Sequence, residues 1–154
     1  MLAFLFIFAY GQKESAMVVY YRKNCEVKDM AACYNLGLMY YSGEKISKDL
    51  EMAFSLFEKA CNSGENDACY NLAFMYHNGE GTEQNYEKAF SFFKKACDNG
   101  EMDACYNLAF MYKEGNGTVQ NYSLAKKHYS QACKSGYEDA CKEELELLEL
   151  ERKK

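Results

Sequence analysis

Apolar residues recur at helical spacing along most of this chain. In ACYNLAFMY, residues 68–76, Ala68, Leu72 and Tyr76 repeat every four residues, with Ala73 and Met75 beside them. In YEKAFSFFKKAC, residues 86–97, Tyr86, Ala89, Phe90 and Phe93 repeat at intervals of three and four. The segment NGEGTEQN separates the two runs, so they read as helix, glycine turn and helix, with the stripes facing each other in an antiparallel pair.

The pair recurs. ACYNLGLMY (32–40) and ACYNLAFMY (104–112) repeat the first run, SGEKISKD and EGNGTVQN the loop, and LEMAFSLFEKAC (50–61) and YSLAKKHYSQAC (122–133) the second. A helical period of 36 residues predicts an all-α solenoid of stacked helix pairs. Small residues at Gly37, Ala73 and Ala109 share one register position, where they let the two helices approach closely. Gly64, Gly100 and Gly136 fall where a left-handed residue ends the second helix. Lys28 takes that place in the first unit and predicts a different turn there. The chain divides into a half-unit 14–25, repeats 26–61, 62–97 and 98–133, and a C-terminal capping helix within 134–154, whose KEELELLELERKK gives the stack a polar end.

Eight cysteines at 25, 33, 61, 69, 97, 105, 133 and 141 follow the same period. Repeat symmetry favours the pairs Cys25–Cys33, Cys61–Cys69, Cys97–Cys105 and Cys133–Cys141 among the many open to eight cysteines. An alanine precedes every one but Cys25, which keeps neighbouring helices close enough for a bridge. The rival readings are buried thiols and zinc ligation, but His77 and His128 have no cysteine at ligand spacing. No metal or cofactor is expected. An even, regularly spaced set of cysteines belongs to an oxidising compartment.

The N-terminus adds to that compartment reading. Leu2 to Ala9 is an apolar run too short to cross a bilayer as a helix. Ala9 and Gly11 supply small residues for cleavage after Gly11, although no Lys or Arg precedes the run. The expectation is a signal peptide at 1–11 and a mature domain at 12–154, secreted or periplasmic, monomeric and not inserted in a membrane. A formal net charge of −5 argues against nucleic acid or anionic membrane as partner. The chain has no Pro or Trp but 14 Tyr and 10 Phe, so phenyl and phenol rings must build its core and grooves.

The motif ACYNLGxMY, the glycine loop and the closing KAC resemble Sel1-like repeats, relatives of the tetratricopeptide repeat. The cysteine eight residues after the previous one makes the chain similar to the Helicobacter cysteine-rich protein family, over residues 14–145. Lys28 and Lys45, in place of glycines, and the Glu-rich last helix depart from the pattern. The resemblance implies a right-handed superhelix with one disulfide per helix pair. It also implies penicillin binding with slow β-lactamase activity, and host or peptidoglycan interaction. It transfers no catalytic residue.

The residues themselves give little support to hydrolysis. Ser-x-x-Lys occurs at Ser42/Lys45, Ser91/Lys94 and Ser123/Lys126, but two of these lie mid-helix. Lys134-Ser135-Gly136 lies in a turn, with no strand beside it as serine β-lactamases require. A groove is the better candidate. In tetratricopeptide repeats the first helices line the concave face, and an Asn there binds peptide backbone. The matching positions are Asn35, Asn71 and Asn107, flanked by Tyr34, Tyr70 and Tyr106, by Phe74 and Phe110, and one turn earlier by Asp67 and Asp103. Asn both donates and accepts, which suits an amide-rich ligand. Aspartates where carboxylate-binding relatives carry Lys or Arg favour a neutral or cationic one. The candidate partners are a β-lactam, a peptidoglycan-derived peptide or a protein. The competing reading is that the asparagines only hold neighbouring repeats together.

Overall fold

A computed structural model describes residues 14–153. The expected signal segment lies outside the described residues. Eight helices follow one another: α1 Ala16–Glu26, α2 Met30–Ser42, α3 Leu50–Asn62, α4 Asn66–Asn78, α5 Tyr86–Asp98, α6 Met102–Glu114, α7 Tyr122–Lys134 and α8 Glu138–Arg152. No strand occurs among the described residues. The helix starts are set locally. Asp29, Asp49, Asn85 and Asn121 cap α2, α3, α5 and α7, each side chain accepting from the backbone N–H three residues on at 2.9–3.0 Å. The long loops close identically, with the N–H of Asp49, Asn85 and Asn121 donated to the carbonyls of Tyr40, Tyr76 and Tyr112.

The helices form a linear stack. The closest pairs are α2–α3, α4–α5 and α6–α7, and contacts between successive pairs run through α3–α4, α5–α6 and α7–α8. The shared small-residue position works as expected. A Cβ on Gly37 would come within 2.7 Å of the Phe57 ring, and Ala73 and Ala109 are fully buried. Aromatic rings then couple one pair to the next. Tyr76 is met edge-on by Phe54 at 5.1 Å and lies parallel to Phe92 at 5.8 Å. One period later, Tyr112 is met edge-on by Phe90 at 5.1 Å and lies parallel to His128 at 5.8 Å. Each such ring pair adds about 0.5–1.5 kcal/mol beyond burial.

All eight cysteines are paired in the symmetric pattern, with Cα–Cα separations of 4.6 Å in three bridges and 4.8 Å in the fourth. That pairing sets aside the thiol and zinc readings. Each bridge spans the short turn from a unit's second helix to the next helix. The turn at Lys28 departs from expectation by not departing from its siblings. Lys28 and Asp29 donate to Cys25 O and Asn24 O, as Gly64 and Glu65 donate to Cys61 O and Ala60 O. Lys28 itself adopts φ 69°, and Lys45 likewise adopts φ 64° where the later loops have glycine. Space explains why Lys45 is tolerated. A Cβ at Gly81 or Gly117 would collide with the carbonyl of Leu50 or Tyr86 at the start of the preceding unit's second helix. One period back from Leu50 stands Glu14, ahead of the start of α1 at Ala16, so that helix end is missing beside Lys45.

His128 makes this packing pH-sensitive. Its imidazole is held below its usual titration range by burial and then by the neighbouring Lys127, with Asp98 opposing. A depressed histidine stabilises the fold fully above its unfolded value near 6.5, and that contribution is lost as pH falls toward the folded value. We expect His128→Phe, which copies Phe92 in the equivalent stack, to keep the ring contact and remove this acid sensitivity. Urea unfolding of both proteins at pH 7.5 and pH 5 measures it: the wild type should lose more stability on acidification than the variant.

Candidate ligand-binding groove

The first helices α2, α4 and α6 carry the Cys-Tyr-Asn triplets in one register. Each tyrosine ring lies against an aromatic of its own unit's second helix: Tyr34 on Phe57 at 5.8 Å, Tyr70 on Phe93 at 5.8 Å and Tyr106 on Tyr129 at 5.4 Å. The hydroxyls then point onward to the next unit. Tyr34 accepts from Asn71 Nδ2 at 3.3 Å, and Tyr70 is hydrogen-bonded to Asn107. The rung after Tyr106 is not asparagine but Glu143, which acts on the Tyr106 hydroxyl electrostatically. Asn35, with no preceding rung, donates to Ala31 O of its own helix at 2.8 Å, and Asn107 donates to Asp103 O at 3.1 Å. Two of the three asparagines therefore serve the joints between repeats.

Charge near the Tyr34 and Tyr70 rungs is negative, whereas at Tyr106 Glu143 and Asp139 are opposed by Lys113 and Lys142. The Tyr34 hydroxyl is pushed above its usual range by burial and then by Asp67, and the Tyr70 hydroxyl by burial and then by Asp103. The Glu101 carboxyl is raised by burial, with Asp103 and Asp67 adding to it. Tyr137 is pushed up to about 12 by burial and by its hydrogen bond to Asp103. All of these phenols stay protonated at neutral pH.

Beside the rungs a cleft of about 250 Å³ opens between α4 and α6. Phe74, Tyr106, Asn107 and Phe110 line it, as do His77, Asn78, Phe93 and Met111. The structure thus brings four of the expected groove residues into one site. Tyr34, Tyr70, Asn35, Asn71, Asp67 and Asp103 lie outside the cleft. His77 and Asn78 escaped sequence reasoning, although a signal existed. The position three residues after Phe74 holds Tyr41, His77 and Lys113 in the three units, a variable place in an otherwise constant motif.

The Ser-x-x-Lys pairs do not assemble a nucleophile. Lys94 Nζ is bound to Asp98 at 2.7 Å and its ammonium is stabilised by that bond. Lys126 Nζ is bound to Glu151 at 2.6 Å. Ser42 Oγ donates to Met39 O and accepts from Glu44 N, and Ser135 Oγ donates to Gln131 O. None of these serines lines the cleft.

The architecture defines a disulfide-linked solenoid of helix pairs, and the comparisons agree. The Sel1 repeat model matches residues 31–65, 66–101 and 103–137. The chain belongs to the Sel1 repeat family. Among solved structures, a protective antigen of uropathogenic Escherichia coli strains displaying an SLR fold is 30% identical with TM-score 0.79. The match covers 80% of this chain, which spans only 26% of that protein. A Sel1 repeat protein from Oxalobacter formigenes is 26% identical over 84% of this chain and 97% of that one, with TM-score 0.76. Helicobacter pylori cysteine rich protein B is 30% identical over 86% and 97%, with TM-score 0.65. No curated protein sequence matched the chain.

The rung geometry separates the asparagines by experiment. Asn71→Ala removes the donor that Tyr34 accepts from and should cost about 0.5–1.5 kcal/mol. Asn35→Ala removes only a bond within its own helix and should cost less than about 0.5 kcal/mol. Denaturant midpoints of the two variants check the difference.

Proposed function

We propose that this protein is an exported binding module that holds an extended, peptide-like ligand along α4 and α6, with the cleft as its anchor. The observation that carries this reading is the cleft itself: apolar walls of Phe74 and Phe110 beside the amide of Asn107 and the hydroxyl of Tyr106. Such a mixture of apolar floor and few polar groups is what small ligand sites require. Four disulfides point to an oxidising, non-cytoplasmic environment. No helix among the described residues is long and apolar enough to cross a membrane. A peptidoglycan-derived peptide or an extracellular protein segment fits both conditions.

The finer activity implied by the family resemblance, slow β-lactam hydrolysis, is the weaker alternative. At the cleft the titratable side chains are His77 and Tyr106. Burial keeps the Tyr106 phenol protonated, and His77 Nδ1 is engaged with Asn78 Oδ1. A β-lactam amide would be bound there more readily than cleaved.

Calorimetry with an uncharged, Phe-bearing heptapeptide and with benzylpenicillin, run beside a nitrocefin assay, distinguishes the readings. We expect peptide binding that weakens about tenfold, roughly 1.4 kcal/mol, in Phe110→Ala and Asn107→Ala. Nitrocefin should hydrolyse at the buffer rate. Turnover above buffer that disappears in His77→Ala would establish the enzyme instead. Peptide binding untouched by both groove variants would remove the cleft from the account.

A further inference from the structure

The same niche between consecutive first helices recurs three times, and the residues around it differ in one telling way. Between α2 and α4, Tyr41 occupies it, its ring 6.5 Å from Phe57 and its hydroxyl donated to Glu80 Oε2 at 2.7 Å. Between α6 and α8, Lys113 reaches across to Glu143 Oε2 at 2.6 Å and Glu146 Oε2 at 3.8 Å. Glu143 there holds the register place of Asn107. In the middle niche His77 leans away, edge-on to Tyr86 at 5.2 Å, its Nδ1 facing Asn78 Oδ1 at 2.9 Å. Among the described residues His77 makes no hydrogen bond or ring contact to α6, and Phe110 on the niche wall is 37% exposed.

Toward the N-terminal ends of α4 and α6 the open niche borders carboxylates, while at its Tyr106 wall Glu143 and Asp139 are balanced by Lys113 and Lys142. From Phe110 back to Asp103 is seven residues, about 10 Å along α6. The charged groups acting on Tyr34, Tyr70 and Glu101 are all carboxylates: Glu65, Asp67, Glu101 and Asp103. An extended peptide covers about 10 Å in three residues. An apolar side chain in the niche therefore places a residue two or three positions away over the carboxylates.

We propose that the middle niche is the specificity pocket for a cationic peptide: a bulky apolar side chain seats between Phe74 and Phe110, and a Lys or Arg two or three residues away pairs with Asp67, Glu101 and Asp103. This rests on the peptide-binding reading above and narrows it. The wall chemistry selects the anchor by burial of apolar area, and the carboxylates select the sign of its neighbour. The flanking niches, already occupied by Tyr41 and by the Lys113–Glu143 pair, leave one register for the bound chain.

The test uses the oxidised protein and fluorescein-labelled peptides read by anisotropy. The probe is Gly-Ser-Phe-Ala-Lys-Lys-Gly, with versions carrying Ala for Phe or Glu for both Lys. The parent peptide should bind, and each altered version should bind about tenfold or more weakly. Its affinity should fall between about 50 and 500 mM salt as screening increases, and the double variant Asp67→Asn/Asp103→Asn should flatten that slope. His77→Tyr, which reproduces Tyr41, should close the niche and abolish binding while circular dichroism and the non-reducing peptide map stay unchanged. Equal binding of the Glu-bearing peptide, an unchanged salt slope in the double variant, or full affinity in His77→Tyr would overturn the proposal while leaving peptide binding in place. Failure of every peptide, whatever its charge, to bind would overturn both.

Discussion

Each disulfide ties the end of one helix to the first turns of the next with Cα atoms 4.6–4.8 Å apart. At that distance the two helix ends have almost no freedom to slide or splay. Only small neighbours fit beside the bridge, which is why Ala60, Ala68, Ala96 and Ala104 are fully buried around it. In a linear stack every unit touches only its neighbours, so a loose joint would spread to the packing on both sides. Fixed joints let the rings do the rest: Tyr76 and Tyr112 are gripped by aromatics from two successive units. The Tyr34–Asn71 rung likewise needs two units held in register.

A ladder fixed this firmly lets single-residue changes reshape one stretch of the surface at a time. Replacing Tyr41 by His77 at one register position leaves a cleft, and replacing it by Lys113 one period later spans the gap with an ion pair. Exchanging Asn107 for Glu143 replaces a side-chain bond to the carbonyl of Asp103 by an ion pair with Lys113. Tyr129 stands where the other units carry Phe57 and Phe93. Its buried hydroxyl finds no hydrogen-bond partner among the described residues, and burial, with nearby Glu143 adding to it, holds it protonated. The third joint is therefore built from different parts than the first two, while its bridge is the same.

Most of the fold could be read from the chain because the repeat averages over local accidents. Three copies of ACYNL with a constant period fixed helix positions, the small-residue contact and the cysteine pairing. Departures from the period were harder. Lys28 looked like an altered turn and Lys45 like a departure from the glycine pattern, yet both lysines took the left-handed conformation that glycine has in the later units. At the place of Lys45 the later units need Gly81 and Gly117 because of a packing partner that the first loop lacks, which no local pattern reveals, whereas a Cβ at Gly64, Gly100 or Gly136 would meet nothing. The site was half legible for a related reason. Phe74, Tyr106, Asn107 and Phe110 follow from the register, but whether a niche is open depends on where Tyr41, His77 and Lys113 turn. Those directions are set by partners 9 to 39 residues away, at Tyr86, Glu143 and Glu80.

The central claim is that the bridges, rather than core size, hold the joints in register. A closed loop this short contributes about 2.5 kcal/mol per disulfide. Four together approach the whole stability of a small domain, about 5–15 kcal/mol. Urea unfolding of the oxidised protein against the fully reduced and alkylated protein, followed by far-ultraviolet circular dichroism, weighs them directly. The account predicts that the reduced chain has lost most of its helical signal at 37 °C without denaturant. A reduced chain that unfolds cooperatively at the same urea midpoint as the oxidised one would contradict it.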